Sequence, residues 1–286
     1  MAAAGSLLLG IALAAGSIVG PLALGIVRSH VSPNATAQIV GSDVVSLVVV
    51  APLALTAAAL WMRGSPNAPL LALAPALYAV YTDVQLVVGP EYARYPGNSE
   101  FAFPLYAGTI VLGWAVAIAA WPQARTRRLG DRARRLLGIT LLLVALAFSA
   151  AWTSSIAAVL GGHPPAGYAD DTTLFWLIRL MDVAFIIPAS FVTAAGLLRG
   201  QSWADAPAMA LAGLQACVIA SVAAMALAML RNHDPSATLA TTSIVVALAL
   251  ALAAVYLICL RSAVPANDAP PCHPERSRGI ATNVHD

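Results

Sequence analysis

The sequence predicts an all-α protein: a polytopic transmembrane helical bundle of about eight spans, with both termini cytoplasmic. Hydrophobic residues make up 60% of the 286 residues and charged residues only 10%, whereas an average soluble domain has about 25% charged residues. The mean hydropathy is +0.81. The chain also contains eight apolar runs, each close to the roughly 20 helical residues that cross a hydrocarbon core.

The eight predicted spans are separated by short connections. Span 1 is predicted to be a retained helix, because its apolar run is too long for a signal peptide and no basic residue precedes it. The later spans end at segments that are rich in Gly, Pro and Asn, or at the most basic stretch of the chain. The predicted spans are residues 6–27, 39–62, 69–89, 101–121, 136–160, 172–198, 206–230 and 239–260.

The spans are predicted to form one transmembrane domain, residues 1–262. The segment that follows, residues 263–286, is rich in Pro, Asn and Ser. Such a composition cannot bury enough apolar surface to offset the entropy of folding. We therefore predict a disordered cytoplasmic tail over residues 263–286.

The residue types exclude several classes of function. All 15 basic residues are Arg, so Schiff-base chemistry and a Walker A loop, which need Lys, are excluded. His-Glu-x-x-His and Gly-x-Ser-x-Gly are absent, and the five His lie outside the predicted spans. The sequence therefore predicts no cofactor and no metal, and it disfavours an enzyme without excluding one. The net charge of +2 predicts no nucleic-acid partner.

The distribution of arginine predicts the orientation. If the six Arg between residues 123 and 135 are cytoplasmic, eleven Arg fall on the inner side of the membrane and three on the outer side. This bias follows the positive-inside rule and predicts a multi-pass protein of the bacterial inner (cytoplasmic) membrane. Loops 90–100 and 161–171 are then external.

The basic stretch from Arg125 to Arg135 has two interpretations. The first is a topology determinant that keeps this loop in the cytoplasm. The second is a binding surface for anionic lipid headgroups, since four residues are predicted to lie on one helical face: Arg125, Arg128, Arg132 and Arg135.

Charges inside the spans are the strongest candidates for function, because a charge at the bilayer centre costs about 2.5–3.5 kcal/mol on insertion scales. Asp182 is predicted near the midplane, and Arg179 one turn shallower on the same face. Asp83 is predicted at the depth of Arg179, so Arg179 is expected to pair with Asp182, Asp83 or both. Two carboxylates against one guanidinium invite a proton or a cation. Asp43 is interpreted as an interfacial residue.

Polar side chains near these charges are candidate lining of an intramembrane site. Tyr78, Tyr81 and Gln85 follow i, i+3, i+7 spacing and share one face of span 3. Asp83 points away from that face, so only one face of span 3 can line the Arg179 site. Gln215 is a further candidate. The alternative is a structural ion pair that fixes the register of the helices.

Three stretches together resemble a family of uncharacterised bacterial integral membrane proteins, over most of residues 40–230. They contain Tyr78-Ala-Val-Tyr81-Thr-Asp83, Asn98-Ser-Glu-Phe-Ala-Phe-Pro-Leu-Tyr106 and Leu180-Met-Asp182-Val-Ala-Phe-Ile-Ile-Pro188-Ala. The resemblance implies the multi-span architecture and the importance of the Tyr-x-x-Tyr and Asp–Pro pairs. It implies no particular reaction, and Arg179 lies outside the shared pattern.

Two functions from different classes follow as hypotheses. The first is a small ion- or proton-coupled transporter with Asp83, Arg179 and Asp182 at its polar centre and an unknown small-molecule or ion substrate. The second is a non-transporting accessory subunit or scaffold whose buried charges are structural. Both place the lipid bilayer around the protein.

Overall fold

The computed structural model describes residues 2–233 and 237–265. This part of the chain contains eight helices long and apolar enough to cross a membrane, so the protein is a multi-pass membrane protein and the predicted all-α bundle is confirmed. The orientation of the bundle stays a prediction. The helices are α1 (Ala2–Val19), α2 (Pro33–Met62), α3 (Ala68–Val88), α4 (Ser99–Ala124), α5 (Asp131–Leu160), α6 (Thr172–Leu198), α7 (Ser202–Arg231) and α8 (Leu239–Ser262).

Helix α1 stops before Gly20-Pro21, so the prediction that span 1 continues to residue 27 is wrong. Proline has no N–H to donate and disfavours helical geometry in the residue before it, which ends the helix here. The chain from residue 20 to residue 32 instead lies over this end of the bundle. There the Asn98 side chain accepts a hydrogen bond from the Arg28 amide (2.7 Å) and donates one to the Ile26 carbonyl (2.9 Å).

Helices α2 and α5 begin earlier than predicted, by six and five residues. Helix α2 starts early because the Ser32 hydroxyl caps it and accepts a hydrogen bond from the Ala35 amide (3.1 Å). Pro33 then occupies the first turn, where a missing N–H costs little. Asp43 therefore lies ten residues inside α2, about 15 Å along the axis. It is buried inside the protein, and the interfacial interpretation, which concerns its depth in the membrane, stays a prediction.

The eight helices pack as two halves with the same pattern of neighbours. In the first half α1 packs on α2 and α4, and α3 packs on the same two helices; in the second half α5 and α7 each pack on α6 and α8. The halves meet where α3 contacts α6 and α7 and where α2 contacts α7. Because each half has an even number of helices, the two halves run in parallel and are not inverted.

A π-helical turn interrupts α2 and α6 at equivalent places in the two halves. The turns are Ser46–Val50 and Asp182–Ile186, and each is followed two residues later by a proline, Pro52 or Pro188. Proline removes a backbone donor, and a π turn accommodates the resulting misfit in hydrogen bonding. In both halves, regular α-helical hydrogen bonding is therefore interrupted in the helix that carries an intramembrane carboxylate.

Small residues allow close contact between the helices. Helix α2 approaches α7 so closely at Gly41 that a Cβ there would lie 2.5 Å from the backbone nitrogen of Met225. Such contacts stabilise membrane bundles because lipid offers no hydrophobic driving force between helices.

The segment between α4 and α5 is not helical throughout. Strand β1 (Arg127–Arg128) pairs antiparallel with strand β2 (Val264–Pro265). The prediction of one shared helical face in this segment is therefore wrong, because the chain leaves the helix before residue 127 and re-enters it only at residue 131. The four residues concerned are Arg125, Arg128, Arg132 and Arg135.

The start of the predicted tail packs against the same segment. Ala263 is buried, and its carbonyl accepts a hydrogen bond from the Arg127 guanidinium, which also donates to the Asn67 side chain (2.8 Å). Residues 263–265 thus belong with the folded domain, and the predicted boundary at residue 262 is too early. The rest of the predicted tail, residues 266–286, lies outside the described residues.

Candidate functional site

A cavity of about 90 Å³ lies within the first half of the bundle, toward the predicted external end. It has walls from α1, α2, α3 and α4, and side chains of α6 and α7 complete it. Its volume is enough for several water molecules or a hydrated ion. The polar side chains that line it are Ser17, Ser29, Gln38, Ser42, Asp43, Ser46, Thr82, Asp83, Gln85, Tyr106 and Thr109.

Asp43 lines this cavity, and one of its carboxylate oxygens is unsatisfied. The residue is 8% exposed, and its Oδ2 atom is buried with no hydrogen-bond partner. Gly20 makes room for the carboxylate, because a Cβ at that position would lie 3.0 Å from Asp43 Oδ2. A buried carboxylate oxygen without a donor costs free energy unless a proton or a cation occupies the space beside it.

Asp83 faces the same cavity from α3. It is 5% exposed and close enough to Asp43 for the two carboxyl groups to repel each other when both are ionised. Among the described residues, no Arg and no His lines the cavity. Two buried carboxylates without a compensating cation cannot both carry a charge at low cost. The arrangement is therefore suited to hold a proton or a small cation.

Asp182 lies in a separate cluster and has both oxygens satisfied. Its Oδ1 accepts a hydrogen bond from the Tyr81 hydroxyl and its Oδ2 from Trp152 Nε1, both at 2.9 Å. A smaller cavity of about 30 Å³ adjoins this cluster. Gln215 lines that cavity, donates to the Ser190 hydroxyl at 2.8 Å and leaves its own carbonyl oxygen without a partner.

Arg179 forms neither of its predicted ion pairs. Among the described residues, no carboxylate oxygen lies within 4.0 Å of its guanidinium. The group stacks over the rings of Phe175 (3.3 Å to the centroid) and Trp152 (4.5 Å). Helical side chains lean toward the helix N-terminus, so Arg179 lies over the preceding turn and donates to the Phe175 carbonyl (3.1 Å). The Asp182 carboxylate instead accepts hydrogen bonds from Tyr81 on α3 and Trp152 on α5.

The remaining predicted residues divide between these places. Tyr78 is fully buried, and its hydroxyl lies within hydrogen-bond distance of Ser46 (2.9 Å) and Ser221 (2.8 Å), which ties α3 to α2 and α7. Gln85 lines the same cavity as Asp83. The structure thus does not bring the six predicted site residues into one centre. It places Asp83 and Gln85 at that cavity, Tyr81 and Asp182 at a second cluster, and Tyr78 and Arg179 in packing contacts.

Loops that are predicted to be external cover the cavity that Asp43 and Asp83 line, called the outer cavity. Ser29 and Val31 line it, and between them His30 contacts the Tyr95 carbonyl through Nδ1 (2.7 Å) and Glu100 through Nε2 (2.8 Å). Both partners are acceptors, so His30 can donate to both only when both ring nitrogens carry protons. The hydrogen bond to Glu100 is the main cause that raises the pKa of His30 above its usual 6.5. This clasp holds the 28–32 segment over the cavity.

Asp171, the second residue of the adjacent acidic pair Asp170-Asp171, holds the same 28–32 segment in place. The Asp171 carboxylate accepts hydrogen bonds from the Ser32 amide (3.0 Å) and the Ser32 hydroxyl (2.5 Å). Asp170 instead pairs with Arg94 at the surface (3.3 Å). Residues 28–32 of the first half and residues 170–171 of the second half are thereby tied together above the cavity.

No family model, no curated protein and no solved structure matches the chain. The function therefore has to be inferred from the geometry of the site.

Proposed function

We propose that the protein is a small transporter that couples the movement of its substrate to a proton or a monovalent cation bound between Asp43 and Asp83. The observation that carries the proposal is the buried Asp43 carboxylate, whose Oδ2 atom has no hydrogen-bond partner and which lines a cavity with a second carboxylate and, among the described residues, no Arg or His. Carboxylates inside a membrane bundle are costly and are typical of ion and proton pathways.

The division into two parallel halves supports the same proposal. Repeats related by an axis along the membrane normal are typical of some transporter folds, in which one bundle rocks against the other. The π turns at Ser46–Val50 and Asp182–Ile186 lie where the halves meet, and such turns are frequent at functional sites. Movement of α2 at its π turn would change the surroundings of Asp43, which lies three residues before it.

The Asp182 cluster has a supporting role in this proposal. Tyr81 and Asp83 both lie on α3, one toward each cluster, so α3 connects the outer cavity with Asp182. Because Tyr81 and Trp152 satisfy both Asp182 oxygens, we assign Asp182 to the positioning of α3, α5 and α6 and not to binding of the coupling ion.

Ion uptake into proteoliposomes tests the proposal. The full chain, reconstituted with a pH-sensitive dye inside and a membrane potential imposed, should take up protons, or radioactive Na⁺ in a parallel experiment. Asp43→Asn and Asp83→Asn should abolish the uptake, whereas Asp170→Asn, a surface carboxylate, should leave it unchanged. Equal uptake by Asp43→Asn and the unmodified chain, or no uptake of either ion, would overturn the proposal.

A non-transporting accessory subunit or scaffold is the second candidate. It is favoured by the contacts of Asp182 and Arg179, which are used in packing and hydrogen bonds as structural charges would be. On this alternative, replacing Asp43 would change stability only, and no ion uptake would depend on it.

We further propose that the protein resides in a bacterial inner membrane with both termini in the cytoplasm, because of the arginine bias. Single cysteines at positions 95, 130 and 166 test the orientation. A reagent that cannot cross the membrane should label positions 95 and 166 from outside but not position 130, and the reverse pattern would contradict the topology. Membership in the resembled family of uncharacterised bacterial membrane proteins stays a prediction.

A further inference from the structure

We infer that the end of α4 and the start of α7 form a binding site for the headgroup of an anionic phospholipid, with Arg125 and Arg128 as its phosphate ligands. The two arginines line an open cavity of about 440 Å³ together with Trp121, Ser202 and Trp203. This site is independent of the outer cavity and lies at the opposite end of the bundle.

The structure separates the arginines of this segment into two groups. Arg127 and Arg134 are buried: Arg127 contacts Asn67 and the Ala263 carbonyl, and Arg134 pairs with Asp205 at 2.8 Å. These two therefore hold the fold together.

Arg125 and Arg128 have no such role. Neither lies within 4.0 Å of a carboxylate among the described residues, and the Arg128 guanidinium donates only to backbone carbonyls, including that of Ser202 (3.3 Å). Within residues 2–233 and 237–265, the two positive charges at the cavity thus have no carboxylate partner.

The cavity is built rather than formed by mobile surface chains. Pairing of Arg128 with Val264 fixes its backbone. The Trp203 ring packs over Gly196, where a Cβ would lie 2.7 Å from the ring, and its Nε1 donates to the Gln201 side chain at 2.8 Å.

The occupant is a lipid because the cavity continues into an apolar stripe on the outside of α4. Val111, Trp114 and Ile118 are 67%, 51% and 69% exposed. With Trp121 and Arg125 they follow alternating spacings of three and four residues, which place them on one face of the helix. Acyl chains packed along this stripe would bring a phosphate to Arg125, with Trp121 at the level where tryptophan is enriched in membranes.

Native mass spectrometry of the full chain with added phosphatidylglycerol tests this site. Removal of each arginine should weaken binding about five-fold, since each basic residue near an anionic membrane surface is worth about 1 kcal/mol. The test variant is Arg125→Gln with Arg128→Gln. The matched control, Arg63→Gln with Arg199→Gln, removes two exposed arginines from the same predicted side that do not line the cavity, and it should weaken binding less than the test variant.

One single variant and two ligand comparisons complete the experiment. Arg125→Glu alone leaves the carbonyl contacts of Arg128 intact and should also weaken binding, which guards against misfolding of the double variant. Phosphatidylcholine should bind more weakly than phosphatidylglycerol, and inorganic phosphate should not displace the lipid. Equal losses in test and control variants, equal binding of both lipids, or displacement by inorganic phosphate would each overturn the assignment.

Discussion

Asp205→Asn is expected to destabilise the protein more than replacement of any surface carboxylate. Asp205 is 1% exposed, and its two oxygens accept hydrogen bonds from Nε and Nη2 of Arg134, both at 2.8 Å. The substitution leaves a buried guanidinium opposite a neutral amide. Asp131 lies 3.8 Å from Arg134 but has a 92% exposed side chain, so it offers little compensation.

The magnitude follows from the geometry of the pair. Two hydrogen bonds to charged groups contribute about 1.5–3 kcal/mol each, in agreement with the about 3–5 kcal/mol lost when one partner of a buried pair is removed. Unfolding of the full chain by titration with denaturing detergent measures the difference in free energy. The double variant Arg134→Met, Asp205→Leu should recover much of the loss, because it replaces both members of the buried pair with apolar side chains.

Asp170→Asn is the matched control for this measurement. It breaks the salt bridge between Arg94 and Asp170, whose side chains are 49% and 53% exposed. The free energy of unfolding should fall by at most about 1 kcal/mol. If Asp205→Asn cost no more than Asp170→Asn, the reasoning about the buried pair would be refuted.

Three further substitutions have clear expected outcomes. Gly41→Ala should lower the free energy of unfolding by about 1–3 kcal/mol because α2 and α7 must separate. Gly108→Ala, whose added Cβ meets nothing within 4 Å, should raise it by up to about 1 kcal/mol through helix propensity. Similar effects at both sites would contradict the close contact. Because the pKa of His30 is raised, its protonated ring stabilises the clasp at low pH, and this stabilisation is lost as the pH rises through that pKa. His30→Gln should therefore flatten a thermal-stability profile recorded from about pH 5 to pH 8. An unchanged profile would exclude the clasp. In a double-mutant cycle, Arg179→Leu and Asp182→Asn should couple well below the about 3–5 kcal/mol of a buried ion pair, and a larger coupling energy would restore the pair predicted from the sequence.

Apolar run length was sufficient to predict the eight helices, because a bilayer requires about 20 apolar residues per span. It was not sufficient to predict where they end. Helix α1 stops at Gly20-Pro21 inside an apolar run, and α5 begins at Asp131, five residues before its apolar run. Local backbone chemistry, namely proline geometry and capping, decides these ends. The Ser32-Pro33 signature could have shown that Asp43 lies well inside α2.

The candidate site was only partly predictable, because spacing along one helix does not say which neighbouring helix a side chain meets. Depth and face placed Arg179 beside Asp182, yet the Asp182 oxygens are taken by Tyr81 and Trp152 from two other helices. Asp83 was recognised as a buried carboxylate, but its neighbour Asp43 was not, since their closeness depends on the packing of α2 against α3.

The most direct test of the central claim is infrared difference spectroscopy of the reconstituted full chain, which observes protonated carboxyl groups. A carboxyl C=O band should change when the pH is lowered or when Na⁺ replaces a large organic cation. The band should be lost in Asp43→Asn with Asp83→Asn and retained in Asp182→Asn. A band absent from the unmodified chain under both treatments, or unchanged in the Asp43–Asp83 double variant, would contradict the assignment of the outer cavity as a proton or cation site.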